Sequence, residues 1–346
     1  MSAADDEEPA EAPHPRKTQE LFGHAEAERV LLDAYRSARV PHAWLIGGPR
    51  GIGKATLAYR MARFVLAHPD PSAAAVKSAP SLAVDPEHVV VRRIAAQAQG
   101  DLLVLERSED DKGKMRTVIT VDQVRRNVSF FGSTPGEGGW RVCIIDSADE
   151  LKQPEAANAL LKMLEEPPPR SLFLLVSHAP GQQLATIRSR CRLLNLHPLA
   201  SADVARAVAA ALGRDAEDAE VIEAAGLAEG SVGRAFSMLG GPVLALRRRL
   251  IQLLDRLPDI DPMALHALGD AMAGTDPQTL EAFRDTINGW LSARIESGPQ
   301  ESRVMARVAE TWDKVNRAAV EADTFNLERK PLVFSVFGLL ADAARR

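Results

Sequence analysis

The run Gly48-Pro49-Arg50-Gly51-Ile52-Gly53-Lys54-Ala55 has the spacing Gly-x4-Gly-Lys. Glycines at Gly48, Gly51 and Gly53 let the backbone curl until several N–H groups converge, and a following helix adds the positive end of its dipole. The ligand such a cradle accepts is a phosphate, with Lys54 reaching the terminal oxygens. The residue after the lysine normally offers a hydroxyl to Mg2+. Here it is Ala55, which has none, and Thr56 comes one place late, on what should be another side of the helix. A second acidic signal is Val142-Cys143-Ile144-Ile145-Asp146, an apolar strand ending in a carboxylate suited to a magnesium shell. Its successor, Ser147, cannot act as a base toward water, and Asp149 and Glu150 read as acids favoured by a helix N-terminus. Two parts of a hydrolytic machine are therefore missing. A third group is Thr186-Ile187-Arg188-Ser189-Arg190-Cys191-Arg192. Its arginines read either as a solvated basic rim or as a finger offered to a neighbouring subunit's ATP. Glu165 and Glu166 resemble a paired-carboxylate acid–base site, but they stand just before Pro167–Pro169, which end a helix.

These groups need a scaffold. Ala43-Trp44-Leu45-Ile46-Gly47 is a short apolar run of the kind that forms a buried parallel strand, and it feeds the glycine loop. A helix is expected from the loop over about 54–67, with others at 24–39, 121–131 and 154–165. Further strands are expected at 102–105, 142–146, 172–176 and 192–196. Residues 68–86, rich in Pro and Ala, read as an irregular connection. Strands alternating with helices from 43 to 197 predict an α/β unit, a parallel sheet with helices on both faces. After Pro198 the strand pattern ends. Residues 199–241 read as a small helical unit with a turn at Gly230-Ser231-Val232-Gly233, and 242–346 as a longer all-helical unit. Trp290 and Trp312 are expected as core or interface anchors there, and Arg247-Arg248-Arg249 as a charged helix surface. Residues 1–20 read as a disordered acidic tail.

The chain has 346 residues, enough for two or three domains. Its net charge is −5, and the first twenty residues carry six acids against only Arg16 and Lys17. The rest is close to neutral, so bulk charge does not point to nucleic acid. Cys143 and Cys191 are too few for a disulfide framework or a zinc cluster. No apolar run is long enough to span a bilayer. The acidic, Pro-rich start is unlike a secretion signal. The expected compartment is the reducing cytoplasm.

Two further runs are more specific. Asn158-Ala159-Leu160-Leu161-Lys162-Met163-Leu164-Glu165-Glu166-Pro167-Pro168 resembles the Asn-Ala-Leu-Leu-Lys-x-Leu-Glu-Glu-Pro-Pro signature of bacterial clamp loaders, and Ser189-Arg190-Cys191 matches their Ser-Arg-Cys motif. With the strand, loop and helix at 43–67, the chain resembles from about Leu21 onward the AAA+ clamp-loader subunits of the DNA polymerase III holoenzyme. Within that family, Ala55 and Ser147 resemble the delta-prime type, whose nucleotide site is degenerate, rather than the motor types.

The resemblance implies an AAA+ module over 21–198, a helical lid over 199–241 and a helical collar for assembly over 242–346. It implies Arg190 as a finger acting in trans on the ATP of an adjacent motor subunit. It also implies a degenerate nucleotide site of Gly48, Gly51, Gly53, Lys54, Ala55, Thr56, Asp146 and Ser177, the last as a strand-end hydroxyl near the phosphates. The chain itself is then expected to have little or no ATPase, though it belongs to a DNA-directed DNA polymerase assembly. The implied partners are motor (gamma/tau) and delta subunits, the sliding clamp and, through the complex, primed DNA, with the isolated chain monomeric. No cofactor is required, while Lys54 leaves residual binding of ATP or ADP with Mg open. Many relatives carry a four-Cys zinc module after the loop helix. Residues 68–100 here contain no Cys, so no zinc is expected. Motor subunits place an Arg after Gly-Ser-x; here Gly233 stands there and Arg234 comes one place late, which weakens a sensing role for the lid. Two other functions compete: an active AAA+ motor of the same complex, and a recombination or remodelling ATPase forming a closed homo-oligomer.

Overall fold

The apolar run at 43–47 forms strand β1 (Ala43–Gly47), and all five of its residues are buried because neighbours cover it on every side. The structure, a computed structural model, describes residues 12–37, 40–108, 113, 116–132, 139–152, 154–239, 241–273, 277–297, 310–318, 321 and 327–344. It divides into two compact units, Glu11–Ser237 and Met238–Arg346.

In the first unit, helix α1 (Ala25–Arg36) precedes β1, and α2 (Lys54–Ala67) follows the glycine loop. Next come α3 (Ala74–Ser78), α4 (Val89–Ala95), β2 (Leu102–Glu106), α5 (Val121–Gly132), β3 (Arg141–Asp146) and α6 (Glu155–Glu165). Strand β4 (Ser171–Ser177), α7 (Ala185–Arg188) and β5 (Arg192–Asn195) complete the sheet, which is parallel throughout in the order β2-β3-β4-β1-β5. The connection at 68–86, expected to be irregular, contains the short helix α3, whose Val76 is buried.

Period-two alternation sorts the core into two layers. Trp44, Ile46, Val142, Ile144, Leu172 and Leu174 pack with α1, α2 and α4 on one face. Ala43, Leu45, Cys143, Ile145, Phe173 and Leu175 pack with α5 and α6 on the other. The expected sheet with helices on both faces is therefore observed. Central strands covered on both sides read as unbroken apolar runs. The edge strand β5 differs: of its four residues only Leu194 is buried.

Register brings the strand ends together. Ile46 pairs with Val176, which pairs on its other side with Asp146, which in turn pairs with Glu106. Neighbouring strands lie about 4.8 Å apart, so the start of the glycine loop and Asp146 stand about 10 Å from each other across β4.

Three helices close the first unit: α8 (Ser201–Leu212), α9 (Ala219–Leu227) and α10 (Val232–Met238). Val204, Val208, Val221 and Ala224 of α8 and α9 are fully buried. The turn before α10 is held by Leu199 N–H donating to Gly230 O at 3.1 Å. Gly230 has φ +77°, and a Cβ on it would lie 2.6 Å from both the N and O of Leu199. The second unit contains α11 (Pro242–Leu254), α12 (Pro262–Ala271), α13 (Pro277–Ser297), α14 (310–318) and α15 (Arg329–Ala344). Leu250, Phe283, Ile287, Val333 and Phe337 lie at its centre, with Trp290 and Trp312 packed partly buried against them.

Gly230→Ala is expected to destabilise the first unit by about 1–3 kcal/mol, through left-handed strain and the clash with Leu199. Urea unfolding followed by tryptophan fluorescence measures this; an unchanged midpoint would show that the turn has room to relax.

Candidate phosphate-binding site and arginine rim

The glycine loop is anchored from several directions. Lys54 is only 3% exposed, and its Nζ donates to Gly48 O at 2.7 Å and to Pro49 O. His24, just ahead of α1, approaches Ile52 O through Nε2 at 2.7 Å. A carbonyl can only accept, so Nε2 carries the proton. From α10, Gly233 N–H donates to Gly51 O at 3.1 Å and Ser231 Oγ donates to Arg50 O at 3.0 Å. The Gly51 backbone lies so close to this turn that an added Cβ would sit 2.3 Å from Ser231 Oγ and 3.2 Å from the Gly233 Cα. With φ at +76°, Gly51 is also in a conformation that side chains disfavour.

Beside the loop lies a cavity of about 770 Å3. Gly51, Gly53, Lys54, Ala55, Thr56 and Asp146 line it, so most of the expected site residues meet at one place. Gly48 joins them through its bond to Lys54. Thr56, expected on another side of the helix, lines the cavity too. Ser177 is a correction. It is fully buried and donates to Asp149 Oδ1 at 2.8 Å, while Val176 and His178 line the cavity. Adjacent strand residues face opposite ways, and the cavity side belongs to the even-numbered ones.

Asp149 has a role the sequence reading missed. Its carboxylate accepts from Ser177 Oγ, from His178 N–H at 2.6 Å, from Ala179 N–H at 3.4 Å and from Gln183 Nε2 at 2.9 Å. Burial pushes its pKa up, but the four hydrogen bonds outweigh that and hold it below the usual carboxylate range. Asp149 thus organises the turn after β4 rather than a helix N-terminus. Glu150 pairs with Arg107 at 2.9 Å and with Arg50 at 3.7 Å.

Residues 12–20, expected in a disordered tail, are instead seated on α2. Arg63, 2% exposed, donates from Nη2 to both Pro15 O and Arg16 O at 2.9 Å. Arg60 Nη1 donates to Gln19 O at 2.5 Å, and the His14 ring meets Tyr59 edge-on. Held this way, the segment forms one wall of the cavity. The available signal was Arg63 itself, a charge four places after Tyr59 and three before Leu66 on the buried stripe of α2.

Burial sets the charge states. It pushes the Lys54 pKa down to about 8, against the attraction of Asp146 and Asp149. It pushes Asp146 up to about 6, helped by Glu106 and Glu150 and opposed by Lys54 and Arg50. His178 is pushed down to about 4 by burial and by Lys54 and Arg50. The loop and Lys54 fit a phosphate. A divalent ion is less well served, because Ala55 offers no oxygen beside Lys54. Among the described residues no group of three or more His, Cys, Asp or Glu could hold a metal ion.

Arg190 lies elsewhere. It precedes β5, whose register pairs Arg192 with Trp44 and Asn195 with Gly47. The arginine therefore enters at the amino end of the sheet, and the phosphate loop leaves β1 at the carboxyl end. The paired strands alone separate the two by about 10 Å. Arg190 Nη2 bonds Glu165 Oε1 at 2.7 Å and Nη1 donates to Thr186 O at 2.9 Å. Arg234 is likewise committed, to Glu229 Oε2 at 2.7 Å.

A family model described as DNA polymerase III, delta subunit, matches residues 23–200, from the entry into α1 through the last strand. The chain belongs to the DNA polymerase III delta-prime clamp-loader family. The delta-prime subunit of Pseudomonas aeruginosa is 39% identical over 154 residues, covering 44% of this chain and 42% of that one. The Yersinia pestis delta-prime subunit is 33% identical over 47% of this chain and 44% of its own. The Escherichia coli K12 subunit is 32% identical over 65% and 62%. The chain thus spans less than half the length of the first two relatives. No helix among the described residues is long and apolar enough to cross a membrane.

Asp146 has a folded-state pKa above its ordinary 3.8, so the folded protein holds an extra proton between there and about 6. That contribution to stability is present at acid pH and is lost as pH rises through this window. Asp146→Asn lacks the effect. The stability difference should move in the variant's favour by ~2 kcal/mol between pH 4 and 7, read from urea midpoints; a pH-independent difference would contradict it. Arg63→Met should free residues 12–20, raising trypsin cleavage after Arg16 and Lys17 by about tenfold or more, since protection follows local opening. Unchanged protection would show that Arg63 is not the anchor.

Proposed function

We propose that this delta-prime family member is a stator-like clamp-loader subunit. It assembles with ATP-hydrolysing motor (gamma/tau) and delta subunits and presents Arg190 to the ATP of an adjacent motor. In this way it supports loading of the sliding clamp onto primed DNA, with little or no hydrolysis of its own. The observation that carries this reading is the placement of Arg190. It stands at the opposite end of the sheet from its own phosphate loop, which supports a role toward a phosphate held by another subunit. The loop that stays behind has a cradle and a lysine but lacks the hydroxyl at Ala55 and a base after Asp146. It suits residual binding of ATP or ADP in a cavity large enough for a nucleotide, without an ordered Mg2+ shell.

In this reading residues 21–198 are the AAA+ module and 199–241 its lid, which reaches the loop through Ser231 and Gly233. Residues 242–346 form the collar through which the subunits assemble. The isolated chain is a cytoplasmic monomer that becomes part of a hetero-oligomer. Arg234 stands one place late for a sensing role in the lid and pairs instead with Glu229.

Reconstitution with motor and delta subunits tests the proposal. Arg190→Ala is expected to fold and assemble normally and to lower ATP turnover at the adjacent motor site by about 10³-fold. Total turnover falls less, because the other sites keep their own arginines. Unchanged clamp loading with this variant would remove the mechanism. Turnover by the isolated chain that Lys54→Ala abolishes would replace it with the motor reading.

A further inference from the structure

Arg190 and Glu165 come from the two runs that distinguish this sequence, and they meet at one point. Glu165 is the last residue of α6, and its place is fixed by the helix end at Glu166 and the prolines that follow. Its Oε1 accepts from Arg190 Nη2 at 2.7 Å. The other end of the guanidinium is turned back on its own chain, with Nη1 donating to Thr186 O at 2.9 Å and reaching Ser189 Oγ at 3.4 Å. Both terminal nitrogens are thus occupied inside the subunit, in the absence of any neighbour. The pair is half-open to solvent, with side-chain exposures of 33% for Arg190 and 49% for Glu165.

This geometry has a consequence for how the arginine is used. A phosphate oxygen pair binds the flat guanidinium fork in the way a carboxylate does. A phosphate that takes the edge containing Nη2 therefore competes with the Glu165 carboxylate for it. An exposed ion pair is weak, so a triphosphate with its greater charge can displace it, while a ligand with less charge competes less well. Resting on the trans-finger reading above, we propose that Glu165 is a positioning residue that holds Arg190 against its own subunit until a neighbouring subunit's terminal phosphate displaces it. The carboxylate makes engagement of the finger depend on which nucleotide the neighbour holds. Breaking the pair costs binding only where the arginine engages, so it weakens assembly against an ATP-bound site more than against an ADP-bound one, where the pair stays closed.

The test compares wild type, Glu165→Gln and Arg190→Ala by titrating each into motor and delta subunits with saturating ATP or ADP. Assembly is read by fluorescence anisotropy, and folding of each variant is checked by thermal melting. Glu165→Gln keeps the shape and removes the charge. It is expected to tighten assembly in ATP by about two- to fivefold, the size of an exposed ion pair released. The effect in ADP should be smaller, so the ATP-to-ADP ratio widens. In the Arg190→Ala background the Glu165→Gln change should have no effect on that ratio. A ratio unchanged by Glu165→Gln, or assembly weakened equally in both nucleotides, overturns the proposal. Full partner turnover with Arg190→Ala instead sinks the finger reading itself, and is recognised by turnover rather than by the ratio.

Discussion

Gly51 and Gly233 bring their backbones into contact, which leaves Gly51 no room for a side chain, and the glycine loop is organised around that contact. A Cβ on Gly51 would lie 3.2 Å from the Gly233 Cα and closer still to Ser231. Because the backbones can touch, the N–H of Gly233 and the hydroxyl of Ser231 reach the carbonyls of Gly51 and Arg50. His24 and Lys54 hold the remaining carbonyls of the loop from the other side. Carbonyls tied outward on both flanks fix the peptide planes. Fixing the planes in turn fixes where the loop's N–H groups point, and that direction is what a phosphate cradle consists of. The helices after β5 are thus part of the loop's architecture, although nearly two hundred residues separate them from it in sequence.

The sheet was legible because its physics is local. A strand covered on both faces needs an unbroken apolar run, and β1 carries one throughout, β3 from Val142 to Ile145 and β4 from Leu172 to Val176. The loop was legible because few sequences place three glycines and a lysine between an apolar strand and a helix. What could not be read were bonds that depend on distance in sequence or on backbone atoms that every residue owns. Arg63 holds the carbonyls of Pro15 and Arg16, which carry no mark in the sequence. Only the buried charge on α2 could have signalled them. Ser177 was placed near the phosphates because the family resemblance implies a polar residue at that strand end. Alternation along β4 turns it the other way, toward Asp149, 28 residues upstream.

The charges in the cavity follow from one competition. Lys54 and Asp146 attract each other, but both are largely shielded from water, and desolvation dominates each of them. Both groups are therefore easier to neutralise than in water, although near neutral pH each still carries most of its charge. An arriving phosphate favours the protonated lysine further. A divalent ion gains nothing from the residue at Ala55. In the proposed function the lesion is selective: the cradle and Lys54 keep a shape that suits phosphate, while Ala55 and Ser147 lack the groups that would organise metal and water.

That selectivity is possible because the sheet keeps its two ends apart. Parallel strands carry every amino end to one side and every carboxyl end to the other, with about 3.3 Å of rise per residue between them. Substitutions around Ala55 and Ser147 change the carboxyl end, where the chain's own phosphate would sit. Arg190, Glu165 and the end of α6 lie at the amino end, held by a hydrogen-bonded corner that does not pass through the loop. Chemistry lost at one end leaves the geometry of the other intact. In the proposed function, this division lets the carboxyl end lose hydrolysis while the amino end serves a neighbour, provided the strands between remain packed. The fully buried residues of β1 and β4 provide that rigidity, since a core at native density moves as a block rather than bending.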